Sequence, residues 1–231
     1  MNNYKLEKLI GNGTFGNIYK ALDIRNNTYY ACKKINKNLF FKNEINIIKN
    51  IKHKNIIQFH DNFCDKYYNY IFLELADIDI YYKMSYNDHS IDLIYDILYD
   101  VLSGVKYLHD NNIVHGDIKI ENILDCAGIY KLCDFGLSFE CKFMKRCQYN
   151  YSELKIPEVK CGIWGKPTDI WCIGKMIEKI LLLYFYSKRY YLDTVCEKYF
   201  NLLKLSKLCF EKDYNKRITI DEILNIFFKI T

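Results

Sequence analysis

Residues 115–122 read His115-Gly116-Asp117-Ile118-Lys119-Ile120-Glu121-Asn122, and twelve residues after Asn122 comes Asp134-Phe135-Gly136. The first stretch sets a carboxylate, an ammonium and an amide on one short loop, and the second sets another carboxylate on the next. Asp117 could accept or orient the proton of an attacking hydroxyl. Lys119 could neutralise charge on a phosphoryl group in transit. Asn122 and Asp134 offer the hard oxygen ligands that Mg²⁺ prefers. Transfer of a phosphoryl group from a metal-bound nucleotide requires this set of groups. Two ordinary polar turns would be the bland alternative. It leaves unexplained why Ile113-Val114 and Tyr130-Lys131-Leu132-Cys133 both run as strands into acid-containing loops.

Such groups work only if other elements aim them. Gly11-Asn12-Gly13-Thr14-Phe15-Gly16 is a G-x-G-x-x-G. In a dinucleotide fingerprint this pattern opens a helix, but here a β-like segment follows and a hairpin turn comes next. Glycines between two strands let backbone amides close over phosphates without side-chain clash. Taken alone, the stretch reads equally well as a plain hairpin with a glycine turn. Lys33 lies on the third strand, and Glu44 shares a helical face with Ile47, Ile48 and Ile51. A carboxylate pointing to the core is costly unless paired, and Lys33 is its natural partner. The pair would aim Lys33 at the α- and β-phosphates. The rival reading is a solvent-edge glutamate on a frayed helix.

Strands are expected from Tyr4 to Ile10, Asn17 to Asp23 and Tyr29 to Ile35, with a turn at Arg25-Asn26-Asn27-Thr28, and again over 56–63 and 69–75. A helix is expected over 40–52. Beyond residue 90 the pattern is mainly helical, over Ile91–His109, Asp169–Tyr186, Asn201–Phe210 and Asp221–Ile230. A strand-rich first third and a helical remainder predict an α+β architecture of two lobes. The expected division of residues 1–231 is one domain, with a first lobe over 1–75, a hinge at about 75–79 and a second lobe over 80–231.

Half of the 231 residues are hydrophobic, which implies a packed core rather than disorder. A net charge of +5 with interspersed signs predicts a solvated surface and no nucleic-acid partner. Ten cysteines form no C-x-x-C pair, so free thiols in a reducing compartment are expected. The longest apolar run, Ile180 to Tyr186, is too short to span a bilayer. Together with the lack of a signal-like start, this predicts an intracellular, cytoplasmic protein with the nucleus left open. Lys, Ile, Asn and Tyr abound while Pro occurs twice and Arg four times, as in AT-rich genomes of large viruses or unicellular parasites. A retained arginine or proline is therefore informative.

Taken in order, these motifs resemble the eukaryotic protein kinase family over residues 4–229. Ile156-Pro157-Glu158 is similar to its Ala-Pro-Glu, Asp169-Ile170-Trp171-Cys172-Ile173-Gly174 to its Asp-x-Trp-x-x-Gly helix start, and Asp213 to Arg217 to its late arginine motif. The resemblance implies a kinase-like fold, with an antiparallel-sheet N-lobe carrying one main helix and a mostly helical C-lobe. It implies ATP and Mg²⁺, with Mn²⁺ as a substitute, and a protein substrate with a Ser or Thr hydroxyl. By the same resemblance Glu158 and Arg217 form a buried ion pair. Ile18, Ala31 and Leu124 would sandwich adenine, Glu74 and Ala76 would offer it hinge backbone groups, and Leu73 would guard the pocket behind. Ile48, Phe59, His115 and Phe135 would stack as an apolar column. The loop from Asp117 to Asn122 resembles the Ser/Thr form, and Asn43 to Ala76 looks polo-like, Aurora-like or calmodulin-kinase-like.

Three features depart from the family pattern. Gly116 stands where the family carries the arginine that clamps a phosphorylated activation segment. Activity is therefore expected not to depend on phosphorylation of Ser138, Tyr149, Tyr151 or Ser152. Tyr151 stands where Ser/Thr kinases place a threonine that bonds the catalytic Asp and Lys. The loops around 76–90 and 186–200 are short, leaving little room for docking inserts. Cys133 would face the nucleotide, where the favoured reading is a small packing residue and the sharper one is a thiol that electrophiles placed there can alkylate. The overall expectation is a monomeric Ser/Thr protein kinase. A kinase-shaped decoy that docks on another kinase, or a phosphotransferase acting on a non-protein hydroxyl, are the other readings.

Overall fold

Alternating side chains in the first third build an antiparallel sheet of five strands: β1 (Tyr4–Gly13), β2 (Gly16–Asp23), β3 (Thr28–Asn36), β4 (Phe59–Cys64) and β5 (Tyr68–Glu74). Their order is β1-β2-β3-β5-β4. The computed structural model describes residues 3–13, 16–37, 43–86, 89–146, 156–187 and 196–231. Period-two alternation sends Cys32, Tyr70 and Phe72 into a small core with Tyr4 and Ala21. Helix α1 (Asn43–Ile48) carries Glu44, Ile47 and Ile48 inward.

The second lobe is largely helical. It contains α2 (Ile80–Tyr86), α3 (Ile91–Asp110), α4 (Pro157–Lys160), α5 (Lys166–Ser187), α6 (Glu197–Leu208) and α7 (Ile220–Ile230). Ser90 caps α3 by accepting the Leu93 N–H, and Thr219 and Glu222 form a capping box on α7. The main core draws on α3, α5, α6 and α7 together, with Leu98, Val101, Ile173, Ile177, Leu205 and Ile223 fully buried. A three-stranded sheet of β6 (Ile78–Asp79), β8 (Ile123–Cys126) and β9 (Ile129–Leu132) lies at the top of this lobe, in the order β6-β8-β9. Two short pairs, β7 (Ile113–Val114) with β10 (Phe139–Glu140) and β11 (Lys145–Arg146) with β12 (Ile163–Trp164), complete it. This is the bilobal α+β fold that the sequence predicts.

Several boundaries differ from expectation. Ile56 and Ile57 do not open β4. Ile56 bridges to Leu132 in the other lobe, and Ile57 N–H donates to Leu132 O at 2.9 Å. Their apolar character serves this crossing between lobes rather than the sheet. The first helix is described from Asn43 to Ile48, shorter than 40–52, and residues 38–42 lie outside the described residues. The stretch 76–90, expected as a short loop, holds β6 and α2, whose start is capped by Asp79 Oδ1 accepting the Tyr82 N–H at 2.7 Å. Helix α6 begins at Glu197, ahead of the expected Asn201. Among the described residues, no helix is long and apolar enough to cross a membrane.

Candidate active site

The glycine stretch lies in the β1–β2 hairpin, with Gly11 opposite Ile18 and Gly13 opposite Gly16. Thr14 and Phe15 lie outside the described residues. Gly16 has a steric reason to be glycine, since a Cβ there would lie 2.2 Å from Lys34 O on β3. Lys33, on β3, pairs across the strands with Ile18 and Ile71. Its Nζ donates to Glu44 Oε1 at 2.6 Å and to Asp134 Oδ1 at 2.7 Å. One ammonium therefore joins β3, α1 and the loop after β9. The glutamate is buried as its helical phase predicts.

Burial works against the Lys33 ammonium, but the charges of Glu44 and Asp134 outweigh it and hold Lys33 above its ordinary value. Burial likewise pushes the Asp134 carboxyl up, and Lys33 more than reverses this, so Asp134 lies below the usual range. Glu44 is the more deeply buried of the two carboxylates, and burial leaves it raised despite Lys33.

The loop after β7 brings Asp117, Lys119 and Asn122 together. Lys119 Nζ donates to Asp117 Oδ2 at 2.7 Å. Asn122 Nδ2 donates to the same oxygen at 2.9 Å and to Asp117 O at 2.8 Å. Among the described residues, Asn122 Nδ2 is so engaged while neither Asn122 Oδ1 nor Asp134 Oδ2 accepts a hydrogen bond. Cys133 N–H donates to Asn122 O at 3.0 Å, which ties the two acid-bearing loops together. Two such hard oxygen donors suit Mg²⁺, which keeps several waters and takes few protein ligands.

The loop is anchored from below by Asp169 in the first turn of α5, a residue with no exposed surface. Its carboxylate accepts the His115 N–H at 2.9 Å and the Gly116 N–H at 2.8 Å, and lies 3.0 Å from His109 Nε2. Sequence reasoning used Asp169 only to mark a helix start. The available signal was an acid opening an otherwise apolar helix, which needs donors nearby if it is buried. Ser138 Oγ donates to His115 O at 2.8 Å, so this hydroxyl is buried rather than displayed. Further down, Arg217 Nη2 donates to Glu158 Oε2 at 2.8 Å and Nη1 to Glu158 Oε1, with both side chains fully buried. Arg217 also donates to Glu211 O and Pro167 O.

A family model described as the protein kinase domain matches residues 4–228. The chain belongs to the protein kinase family. It is 32% identical over 202 residues to serine/threonine-protein kinase PLK4 of Drosophila grimshawi, covering 78% of the chain and 26% of that protein. It is 33% identical over 188 residues to mitogen-activated protein kinase kinase kinase 1b of Physcomitrium patens, covering 71% and 24%. A probable serine/threonine-protein kinase of Dictyostelium discoideum is 30% identical over 196 residues, covering 75% and 28%. The chain thus spans about a quarter of the length of the curated relatives it matches. These relatives are named as serine/threonine-protein kinases or as a mitogen-activated protein kinase kinase kinase.

The chain leaves β5 at Glu74. Glu74 N–H is already used by Gln58 O at 2.9 Å, whereas Ala76 makes no backbone bond among the described residues. Ala31 lies opposite Leu73 on β3 and β5, and Leu124 lies opposite Asp79 on β8 and β6. Cross-strand partners share a face, so Asp79 accompanies Leu124, a placement not anticipated from the sequence. Ile48, His115 and Phe135 are buried and Phe59 partly so, with the His115 and Phe135 rings 4.9 Å apart.

One departure acquires a structural setting. Gly116 has φ +82°, and a Cβ on it would lie 2.9 Å from Leu137 O. The residue is thus a close backbone contact between the 115–122 loop and the segment that follows Asp134-Phe135-Gly136. Tyr149, Tyr151 and Ser152 lie outside the described residues. The setting of Cys133 favours the packing reading. Burial, with Asp134 beside it, pushes the thiol well above its ordinary pKa, so little thiolate exists at neutral pH.

Proposed function

We propose that this chain is a serine/threonine protein kinase that transfers the γ-phosphate of Mg-ATP to a protein hydroxyl. The observation that carries the reading is the single ammonium of Lys33 shared by Glu44 and Asp134, beside an Asp117 held by Lys119 and Asn122. Lys33, fixed by Glu44, engages the α- and β-phosphates. The β1–β2 hairpin with Gly11, Gly13 and Gly16 covers them with backbone amides. Ile18, Ala31 and Leu124 enclose the adenine, Leu73 closes the pocket behind it, and Glu74 and Ala76 contribute backbone groups. Asn122 and Asp134 would hold Mg²⁺, which neutralises charge on the phosphates and orients them for in-line transfer. Asp117 accepts or aligns the hydroxyl proton of the acceptor, and Lys119 stabilises charge on the transferred group. The Ser/Thr preference rests on Lys119 in the catalytic loop and on the named relatives.

Residues 1–75, a hinge at about 75–79 and residues 80–231 act together as one catalytic domain. We place it inside the cell, in line with the free thiols of the described cysteines, and as a monomer. The test is transfer from radiolabelled ATP to generic protein substrates, comparing the parent with Asp117→Asn. Transfer by the parent, falling about 10²- to 10⁴-fold in the variant, is expected. ATP binding without transfer in either form would overturn the enzyme and support a kinase-shaped decoy.

A further inference from the structure

The carboxylate of Glu74 does not turn toward the nucleotide cleft. In the β3–β5 register Leu73 faces Ala31, Ile71 faces Lys33, and Glu74 faces Tyr30. Lys33 reaches Glu44 and Asp134 and so marks the cleft side of the sheet. Neighbouring residues on a strand alternate faces, which puts Glu74 and Tyr30 on the outer side. There Lys131 Nζ, from β9 of the other lobe, donates to Glu74 Oε1 at 2.6 Å and Oε2 at 2.8 Å. Gln58 N–H adds a third donor to the same carboxylate at 3.2 Å. Lys131 is only 13% exposed and Glu74 29%, so the pair is partly shielded from solvent. A cavity of about 560 Å³ opens beside it, lined by Tyr30, His60, Glu74 and Lys131 among others.

Glu74 is the last residue of β5, and the chain crosses to the second lobe immediately after it. A contact on the outer side of a hinge must lengthen when the cleft on the inner side narrows. We infer that Glu74 and Lys131 form a cross-hinge tie that resists lobe closure and thereby sets nucleotide affinity. Both act as positioning residues, and neither side chain touches the reacting atoms. The inference rests on the reading of the cleft as a nucleotide site. A partly exposed ion pair of this kind shifts a two-state equilibrium by about three- to five-fold.

The test compares the parent chain with Lys131→Met, Glu74→Gln, the double variant, and the swap Glu74→Lys with Lys131→Glu. Two quantities are read. One is hydrogen exchange of the Asp77 amide, which bonds Asp125 O across the hinge, in protein without nucleotide. The other is KM for ATP set against kcat. Each single variant is expected to exchange faster at Asp77 and to lower KM for ATP about three- to five-fold. The double variant should add nothing further, and the swap should return both readings toward the parent. Unchanged exchange in both single variants, a raised KM, or additive effects in the double variant would overturn the tie. A parent that transfers no phosphate would sink the kinase reading, and the exchange measurement would still decide the tie.

Discussion

Lys33 carries the densest chemistry of any single residue. Its ammonium is nearly enclosed, and enclosure alone would favour the neutral amine. Two carboxylates reverse that, one eleven residues away in sequence and the other 101. Asp117 is held differently, by a neighbouring ammonium and an amide on its own loop, which leaves its second oxygen open to an incoming hydroxyl. Cys133 makes the opposite point. It directly precedes a functional acid, yet burial keeps its thiol protonated. Iodoacetamide at neutral pH should therefore modify the exposed Cys64 and Cys161 well before Cys133, as peptide mass spectrometry would read. Early labelling of Cys133 would show that the thiol is more open than its packing implies.

At the scale of elements, the 115–122 loop is fixed by backbone contacts from two directions. Asp169 at the start of α5 takes two of its N–H groups, and Ser138 after Asp134-Phe135-Gly136 reaches a carbonyl. Gly116 lets Leu137 O approach closely, which an L side chain at φ +82° would resist. This stitching uses no phosphate. Phosphatase treatment is expected to leave the transfer rate within about two-fold, since there is no guanidinium at 116 for a phosphate to engage. A large loss of rate would instead reveal a phosphate clamp built from other residues.

The second element-scale contact joins α4 to the turn before α7. Glu158 and Arg217 are fully buried, and the guanidinium is used by α4, by α5 and by the loop after α6. Removing one partner leaves the other charge buried and alone. Arg217→Met is thus expected to lower stability by about 3–5 kcal/mol, measured by urea unfolding. Losing less than about 1 kcal/mol would mean that water reaches Glu158.

For the whole molecule, two lobes meet at a cleft whose ligands come from both. Lys33 and Glu44 belong to the first lobe, and Asp117, Asn122 and Asp134 to the second. A nucleotide bridging them binds only the folded chain and should raise the melting temperature, by an amount equivalent to about 2.7 kcal/mol at a hundred-fold excess over Kd. On the proposed reading, in which Asn122 and Asp134 hold the phosphates through a divalent cation, EDTA should remove most of that shift. A shift of equal size with and without EDTA would count against Asn122 and Asp134 as metal ligands.

What the sequence determined by itself was local. Residue types and spacing put Asp117, Lys119 and Asn122 on one loop, and helical phase turned Glu44 inward. Strand alternation and glycine placement set the β1–β2 hairpin. Tertiary structure alone decided which groups share a proton or a charge. The second carboxylate on Lys33, the anchoring of the loop by Asp169, and the crossing of Ile56 and Ile57 to Leu132 all join residues far apart in the chain. So does the Glu74–Lys131 tie. No periodic pattern encodes such meetings. They follow from how the elements pack, and packing is settled only when the whole chain has found its burial.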